Sequence, residues 1–180
     1  AEALEQLPYD GPPTHLFLQA GVGGMAAATV AQLWQVFGAE RPRVILVEPK
    51  TAACWYLSLR AARPIAAEGD LESIMAGLAC GEVSQLAWMV LAPGACAALQ
   101  IEDAAAADCM RLLADGRYGD PPIVAGESAV AGLAGLLAVA ADEKSRQTLA
   151  LDSYSRVLLF GTEGATDADA LANILKAEAA

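Results

Sequence analysis

Thr14-His-Leu-Phe-Leu-Gln-Ala-Gly-Val-Gly-Gly-Met25 is the stretch whose reading decides the fold. A strand-like, largely apolar run over residues 16–20 ends in glycines at Gly21, Gly23 and Gly24, and a small-residue helical run follows over 26–37. Strand, glycine turn, helix is an order that offers backbone N–H groups to an anion. Without a Cβ, the glycines let a phosphate come close to the backbone. The N-terminus of the next helix adds partial positive charge. The pattern is neither G-x-G-x-x-G nor a Walker loop, because no Gly-Lys-Ser/Thr follows. Taken alone, it also fits a tight strand-to-helix turn that holds nothing.

Outward from this stretch, strands and helices alternate. Residues 14–20 read as a buried strand and 25–37 as a helix ended by Gly38. Residues 43–47, bounded by Pro42 and Pro49, read as a second strand. Helical character follows over 51–60, a short strand over 64–67, and a helical turn or two over 71–78, broken at Cys80-Gly81. A helix over 84–91 stops at Pro93-Gly94, and a strand is expected over 97–101. The helix over 103–114 takes Asp103 as its N-cap. Residues 117–122 form a loop and 123–125 an extended piece, and Gly126-Glu127-Ser128 opens a long small-residue helix to Ala140. Residues 144–149 are helical, 156–160 a last buried strand, 161–167 a polar turn and 168–178 a terminal helix. Continuously apolar strands between helices predict an α/β fold: a parallel, three-layer, Rossmann-like sheet with helices on both faces. Residues 1–13 form a lead segment, a short helix or tail closed by Gly11-Pro12-Pro13, and 14–180 one α/β domain or the C-terminal part of one.

Composition narrows the function classes. With 180 residues, 56% hydrophobic and 18% charged, the chain has material for a large core. No apolar run reaches bilayer-spanning length without a Gly, Pro or charge. The acidic start, Ala-Glu-Ala-Leu-Glu-Gln, is no signal peptide, so no membrane partner and a cytoplasmic location are expected. A net charge of −11 argues against nucleic acid. The basic groupings Arg41/Arg43 and Arg60/Arg63 read as solvated helix ends. Cys54, Cys80, Cys96 and Cys109 form no C-x-x-C, and His15 is the single histidine, so no metal site is expected. Cys54 and Cys80 are placed near one rim, either as reduced buried thiols or as a disulfide, which needs Cα atoms within about 7 Å. Beginning on Ala rather than Met, and rich in apolar residues, the chain is expected to be part of a larger protein that self-associates.

In open α/β sheets, ligands bind beyond the carboxyl ends of the strands. Three such ends are polar or Gly-rich: 21–24, Glu48-Pro49, and Gly161-Thr162-Glu163-Gly164. A phosphate-bearing ligand on the first, met at its other edges by Thr162 and Glu127, makes one coherent pocket.

These segments resemble fold-type II pyridoxal phosphate enzymes (tryptophan synthase β-like). They resemble one family closely, 2,3-diaminopropionate ammonia-lyase. The resemblance is carried by residues 14–25, Val-Glu-Pro at 47–49, and Ile-Met-Ala-Gly-Leu-Ala-Cys-Gly-Glu at 74–82. Gly-Asp-Pro-Pro-Ile-Val-Ala-Gly-Glu-Ser at 119–128 and Thr-Glu-Gly-Ala-Thr-Asp at 162–167 extend it. It covers nearly the whole chain, but only the C-terminal part of the family's enzyme. The resemblance implies α,β-elimination of a small amino-acid substrate, 2,3-diaminopropionate, to pyruvate and ammonia. It also implies pyridoxal 5'-phosphate as cofactor and a homodimer. It assigns the cofactor phosphate to Gly21, Val22, Gly23, Gly24 and Met25, the pyridine edge to Thr162, and the substrate side of the pocket to Glu127 and Glu163. In the family the Schiff-base lysine lies in an N-terminal region. Lys50, Lys144 and Lys176 are therefore expected to be surface groups, and no catalytic residue is expected in this chain. Val22, Gly161 and Ala165 depart from the family pattern: Gly161 removes a possible side-chain contact to the ring, and Ala165 bears on substrate detail. Glu127 reads equally as a helix-N-terminal carboxylate. Rival readings are a standalone module binding a phosphorylated metabolite and a ligand-free assembly piece. Threonine synthase and threonine dehydratase share the glycine loop but lack the run over 74–82.

Overall fold

Strands apolar on both sides must be covered on both sides, and the chain does this with helices. The computed structural model describes residues 2–7 and 11–176. Strands β1 (His15–Gln19), β2 (Arg43–Pro49), β3 (Ala97–Ile101) and β4 (Val157–Leu158) pair in parallel, in the order β3-β2-β1-β4. The helices, in chain order, are α1 (Glu2–Glu5), α2 (Gly24–Phe37), α3 (Cys54–Ala61) and α4 (Gln85–Gly94), then α5 (Asp103–Ala114), α6 (Ala131–Ala141), α7 (Glu143–Leu149) and α8 (Ala168–Lys176).

The register sets Leu16 beside Val44, Phe17 beside Ile45 and Leu18 beside Leu46. Because side chains alternate along a strand, each strand feeds two cores. Leu16, Leu18, Val44 and Leu46 pack with Val30, Leu33, Trp55 and Leu91 of α2, α3 and α4. Phe17, Ile45 and Val47 pack with Ala106, Met110, Ala131 and Ala134 of α5 and α6. Each fully buried Leu, Ile or Phe contributes about 1.5–3 kcal/mol, so the central strands anchor both layers. No helix among the described residues is long and apolar enough to cross a membrane.

The small-residue run of α6 has a packing purpose. A Cβ on Gly132 would lie 2.6 Å from the Phe17 carbonyl oxygen, and one on Gly135 would lie 2.7 Å from Val47 Cγ2. The helix lies directly on the sheet because nothing projects from it there.

Several elements differ from the sequence expectation, each for a local reason. Residues 64–67 form no strand. Pro64 lacks an N–H, and the Ser58 hydroxyl takes both polar groups of Ile65, accepting from its N–H at 2.8 Å and donating to its carbonyl at 3.2 Å. Residues 71–78 hold only a 3₁₀ turn, Ala76–Leu78. The Asp103 carboxylate ties down the stretch before it, accepting from Ser73 Oγ and the Ile74 N–H. Asp103 is accordingly not the N-cap of α5; Glu102 occupies that position without a side-chain capping bond. Helix α4 runs through Pro93 to Gly94, since a proline in the last turn deprives only the Met89 carbonyl of its partner, and Met89 lies on the solvent face. The small-residue helix begins at Ala131, because 126–130 are turns held by Glu163. The last strand shortens to two residues; the Phe160 carbonyl instead accepts the Gln19 amide. The lead segment forms α1, while its residues 8–10, and 177–178 of the expected terminal helix, lie outside the described residues.

Substituting Gly132→Ala should cost about 1–3 kcal/mol by overpacking. Gly161→Ala, whose Cβ would meet nothing within 4 Å, should stay within about 0.5 kcal/mol of the parent. Urea unfolding of the two variants side by side checks both values.

Candidate functional site

At the carboxyl end of β1 the chain turns through residues 20–23 into α2. The Gly21 carbonyl accepts a hydrogen bond from Trp55 Nε1 at 2.8 Å, and the Val22 carbonyl accepts one from the Ser84 N–H at 2.9 Å. In a trans peptide the N–H points opposite to the C=O. The N–H groups of Val22 and Gly23 are thus turned away from Trp55 and Ser84. Gly24 and Met25 follow as the first residues of α2, whose N–H groups have no intrahelical acceptor. Among the described residues, none of the N–H groups of 21–25 donates to the chain.

The three glycines differ in what requires them. Gly23 has φ +96°, and a Cβ there would lie 2.3 Å from Trp55 Cζ2. A Cβ on Gly21 would meet Cys80 Sγ and the Gly77 carbonyl at 3.0 Å. Gly24 faces open space, with nothing within 4 Å of a built Cβ.

Trp55 is itself fixed from β2. The fully buried Glu48 carboxylate accepts from the Trp55 N–H at 2.7 Å, the Tyr56 N–H at 2.8 Å and Cys54 Sγ at 3.5 Å. These donors open α3, so Glu48 closes the helix N-terminus that carries the indole. Burial lifts the Glu48 carboxyl to about 7, against the downward pull of its hydrogen bonds to Trp55, Tyr56 and Cys54. Burial, then the neighbouring Glu48 charge, pushes the Cys54 thiol far above its ordinary range. Trp88 stacks on Trp55 with ring centroids 6.1 Å apart.

The turn borders a cavity of about 620 Å³, whose other walls include Gly77, Leu78, Cys80, Ser128 and 162–164. Glu163 joins those walls. Its carboxylate accepts from the Ser128 N–H at 2.8 Å and its carbonyl from the Gly126 N–H at 3.0 Å, while Ser128 Oγ accepts from the Gly77 N–H at 3.1 Å. Thr162 also lines the cavity, and the Gln19 amide donates to its Oγ1 at 2.9 Å. Gln19 Oε1 is buried and has no partner among the described residues. A second hollow of about 910 Å³ is lined by Asp70, Glu72 and Asp103, carboxylates that repel an anion.

Of the residues singled out from the sequence, Gly21, Val22, Gly23, Gly24, Met25, Thr162 and Glu163 line one cavity. Glu127 does not line it; its neighbour Ser128 does. No lysine lines it either. Lys50 pairs with Glu102 at the surface, and Lys144 and Lys176 are exposed. All four cysteines are free, and Cys54 and Cys80 both approach Gly21. Sequence reasoning did not single out Gln19, Trp55 or Ser128, and it noted Glu48 only as a strand end. The available signal was a polar residue, Gln19 or Glu48, at the end of an otherwise apolar strand.

The donor set suits a phosphate group. Unbonded N–H groups cluster at a helix N-terminus, and no acidic side chain stands among 21–25. A family model for pyridoxal-phosphate dependent enzymes matches residues 1–157. The curated diaminopropionate ammonia-lyase of Escherichia coli (strain K12) is 41% identical over 171 residues, covering 92% of this chain and 43% of that protein. The diaminopropionate ammonia-lyase of Salmonella typhimurium is 38% identical over 183 residues, covering 97% and 45%. The chain thus spans less than half the length of these relatives. The solved structure of holo diaminopropionate ammonia lyase from Escherichia coli superposes with a TM-score of 0.86 at 36% identity, over 97% of this chain and 44% of that one. Maize serine racemase shares the fold, with a TM-score of 0.77 at 22% identity over 96% and 48%.

The Glu48 carboxyl yields a pH prediction. Its folded value, about 7, lies above its ordinary 4.5, so the folded chain binds this proton more tightly than the unfolded chain. Its contribution to stability is full below about pH 4.5 and is lost as the pH rises through about 7. Melting temperatures of the parent should therefore fall relative to Glu48→Gln across that window. Parallel curves for the two proteins would contradict the assignment.

Proposed function

This chain belongs to the family of pyridoxal-phosphate dependent enzymes, and on that premise we propose that it forms the cofactor-phosphate and ring-edge part of a diaminopropionate ammonia-lyase. The whole enzyme would convert 2,3-diaminopropionate to pyruvate and ammonia. The observation that carries this reading is that residues 21–25, whose N–H groups are unbonded among the described residues, line one cavity together with Thr162 and Glu163. The likeness to enzymes of that name along nearly the whole chain supports it.

Pyridoxal phosphate, when bound, supplies an electron sink for charge developing at the α-carbon of an amino acid. The chain's own residues bind and orient. The N–H groups of Gly21, Val22, Gly23, Gly24 and Met25 neutralise the phosphate without a cationic side chain. The Thr162 hydroxyl meets the pyridine nitrogen. Glu163 uses its carboxylate on Ser128 and keeps the wall on the substrate side in shape. By the family resemblance, the lysine that anchors the cofactor would come from a region outside this chain; Lys50, Lys144 and Lys176 do not line the cavity. The enzyme works as a homodimer in the cytoplasm. Leu86 and Met89 of α4, 78% and 73% exposed, supply apolar surface for association. Free cysteines suit a reducing compartment.

The test is pyruvate release from 2,3-diaminopropionate by the product of the gene that encodes this chain, with sedimentation of the same protein expected to give a dimer. Binding of phosphorylated metabolites without turnover would favour the standalone binding module instead. Gly24→Asp should fold normally, because its Cβ enters open space, yet should weaken pyridoxal phosphate binding by at least about tenfold, equivalent to ~1.4 kcal/mol. Fluorescence titration of the cofactor measures it.

A further inference from the structure

Taking the proposed placement of Thr162 beside the pyridine nitrogen as given, we infer that Gln19 is a positioning residue that fixes the direction of the Thr162 hydroxyl proton. The geometry runs as a relay of donors. Gln19 is 2% exposed, at the last position of β1 and on the cavity wall. Its Nε2 stands 2.7 Å from the Phe160 carbonyl oxygen and 2.9 Å from Thr162 Oγ1. A carbonyl only accepts, so the amide nitrogen, not the amide oxygen, must face Phe160. Flipping the amide would set Oε1 against that carbonyl, lone pair to lone pair. Both Nε2 hydrogens are therefore committed, one to Phe160 and one to Thr162.

The consequence falls on Thr162. Its Oγ1 accepts a hydrogen bond from Gln19, so its own hydrogen cannot point back along that line. It makes no other hydrogen bond among the described residues. The hydroxyl is left as a donor to whatever lies in the cavity. A ring nitrogen that receives a hydrogen bond keeps its lone pair unprotonated. Gln19 thus selects the neutral pyridine, and does so without touching the cofactor. The same reasoning gives a role to a polar residue in a strand that is otherwise apolar from Leu16 to Leu18.

The experiment uses the holoenzyme containing this chain, loaded with pyridoxal phosphate labelled with ¹⁵N in the ring, and reads the ring-nitrogen chemical shift. The parent should show an unprotonated, hydrogen-bonded pyridine. In Gln19→Glu, the new carboxyl can accept from Thr162 but cannot donate to it while serving Phe160, so the hydroxyl reverses and the shift should move toward that of the protonated ring. Gln19→Met, of similar volume, removes the clamp without reversing it and should give a shift between the two; it also covers the case in which the buried carboxyl prevents folding. Thr162→Val separates the two assignments. If Thr162→Val moves the shift and neither Gln19 variant does, the role of Gln19 is overturned and the place of Thr162 stands. If Thr162→Val leaves the shift unchanged, the placement of Thr162 fails, and the role of Gln19 with it.

Discussion

The indole N–H of Trp55 holds the Gly21 carbonyl at 2.8 Å, and what the cavity can bind depends on which way that peptide faces. With the carbonyls of Gly21 and Val22 drawn toward Trp55 and Ser84, the turn presents hydrogen-bond donors. With them released, the same backbone could present oxygens and repel an anion. A hydrogen bond of this kind contributes about 0.5–1.5 kcal/mol net, but leaving the carbonyl buried and unpaired costs about 1–3 kcal/mol. The bond therefore matters more for the orientation it enforces than for the stability it adds. Glu48 stands behind it, holding the first turn of α3 so that the indole arrives at one place. Gly23 completes the fit, since any side chain there would overlap the indole.

The two sides of the cavity are built from opposite layers. The glycine turn is fastened to the layer of α2, α3 and α4, through Trp55 and Ser84. The facing wall is fastened to the start of the α6 layer, through Glu163 and Ser128. Strand β1 lies between them, and Gln19 reaches from its end to Thr162. A ligand bridging the glycine turn and Thr162 would contact both layers at the carboxyl edge of the sheet, which is where a parallel sheet leaves room for one.

Much of this was legible in the sequence because it follows from periodicity and from glycine. Val44, Ile45, Leu46 and Val47 have no polar side and must be covered twice, which dictates a parallel sheet between helices. The glycine turn announced itself by leaving no side chain where a helix begins. The misreadings share a cause. At 64–67, at 71–78 and at 126–130, a side chain from elsewhere takes over backbone groups that local patterning assigned to a strand or a helix, and Asp103, spent on Ile74, is lost as a cap. Ser58 does this to Ile65, Asp103 to Ile74 and Glu163 to Ser128. The carboxylate that lines the cavity is Glu163 rather than Glu127, and nothing within Gly126-Glu127-Ser128 says which neighbour faces inward. Trp55 was invisible as a site residue for the same reason: it acts on a peptide 34 positions away, with α2 and β2 between them in the chain.

Replacing Trp55 with phenylalanine tests the central claim most directly. Trp55→Phe keeps an aromatic ring to pack beneath Gly23 and removes only the indole portion that donates to Gly21. Isothermal titration calorimetry of the parent and variant with pyridoxal phosphate, with melting curves run on both to confirm folding, reads the effect. Trp55→Phe should fold, with its affinity for pyridoxal phosphate lowered by about tenfold, equivalent to ~1.4 kcal/mol. A folded variant that binds as tightly as the parent would contradict it, because the direction of the turn's N–H groups would then not depend on the bond from Trp55.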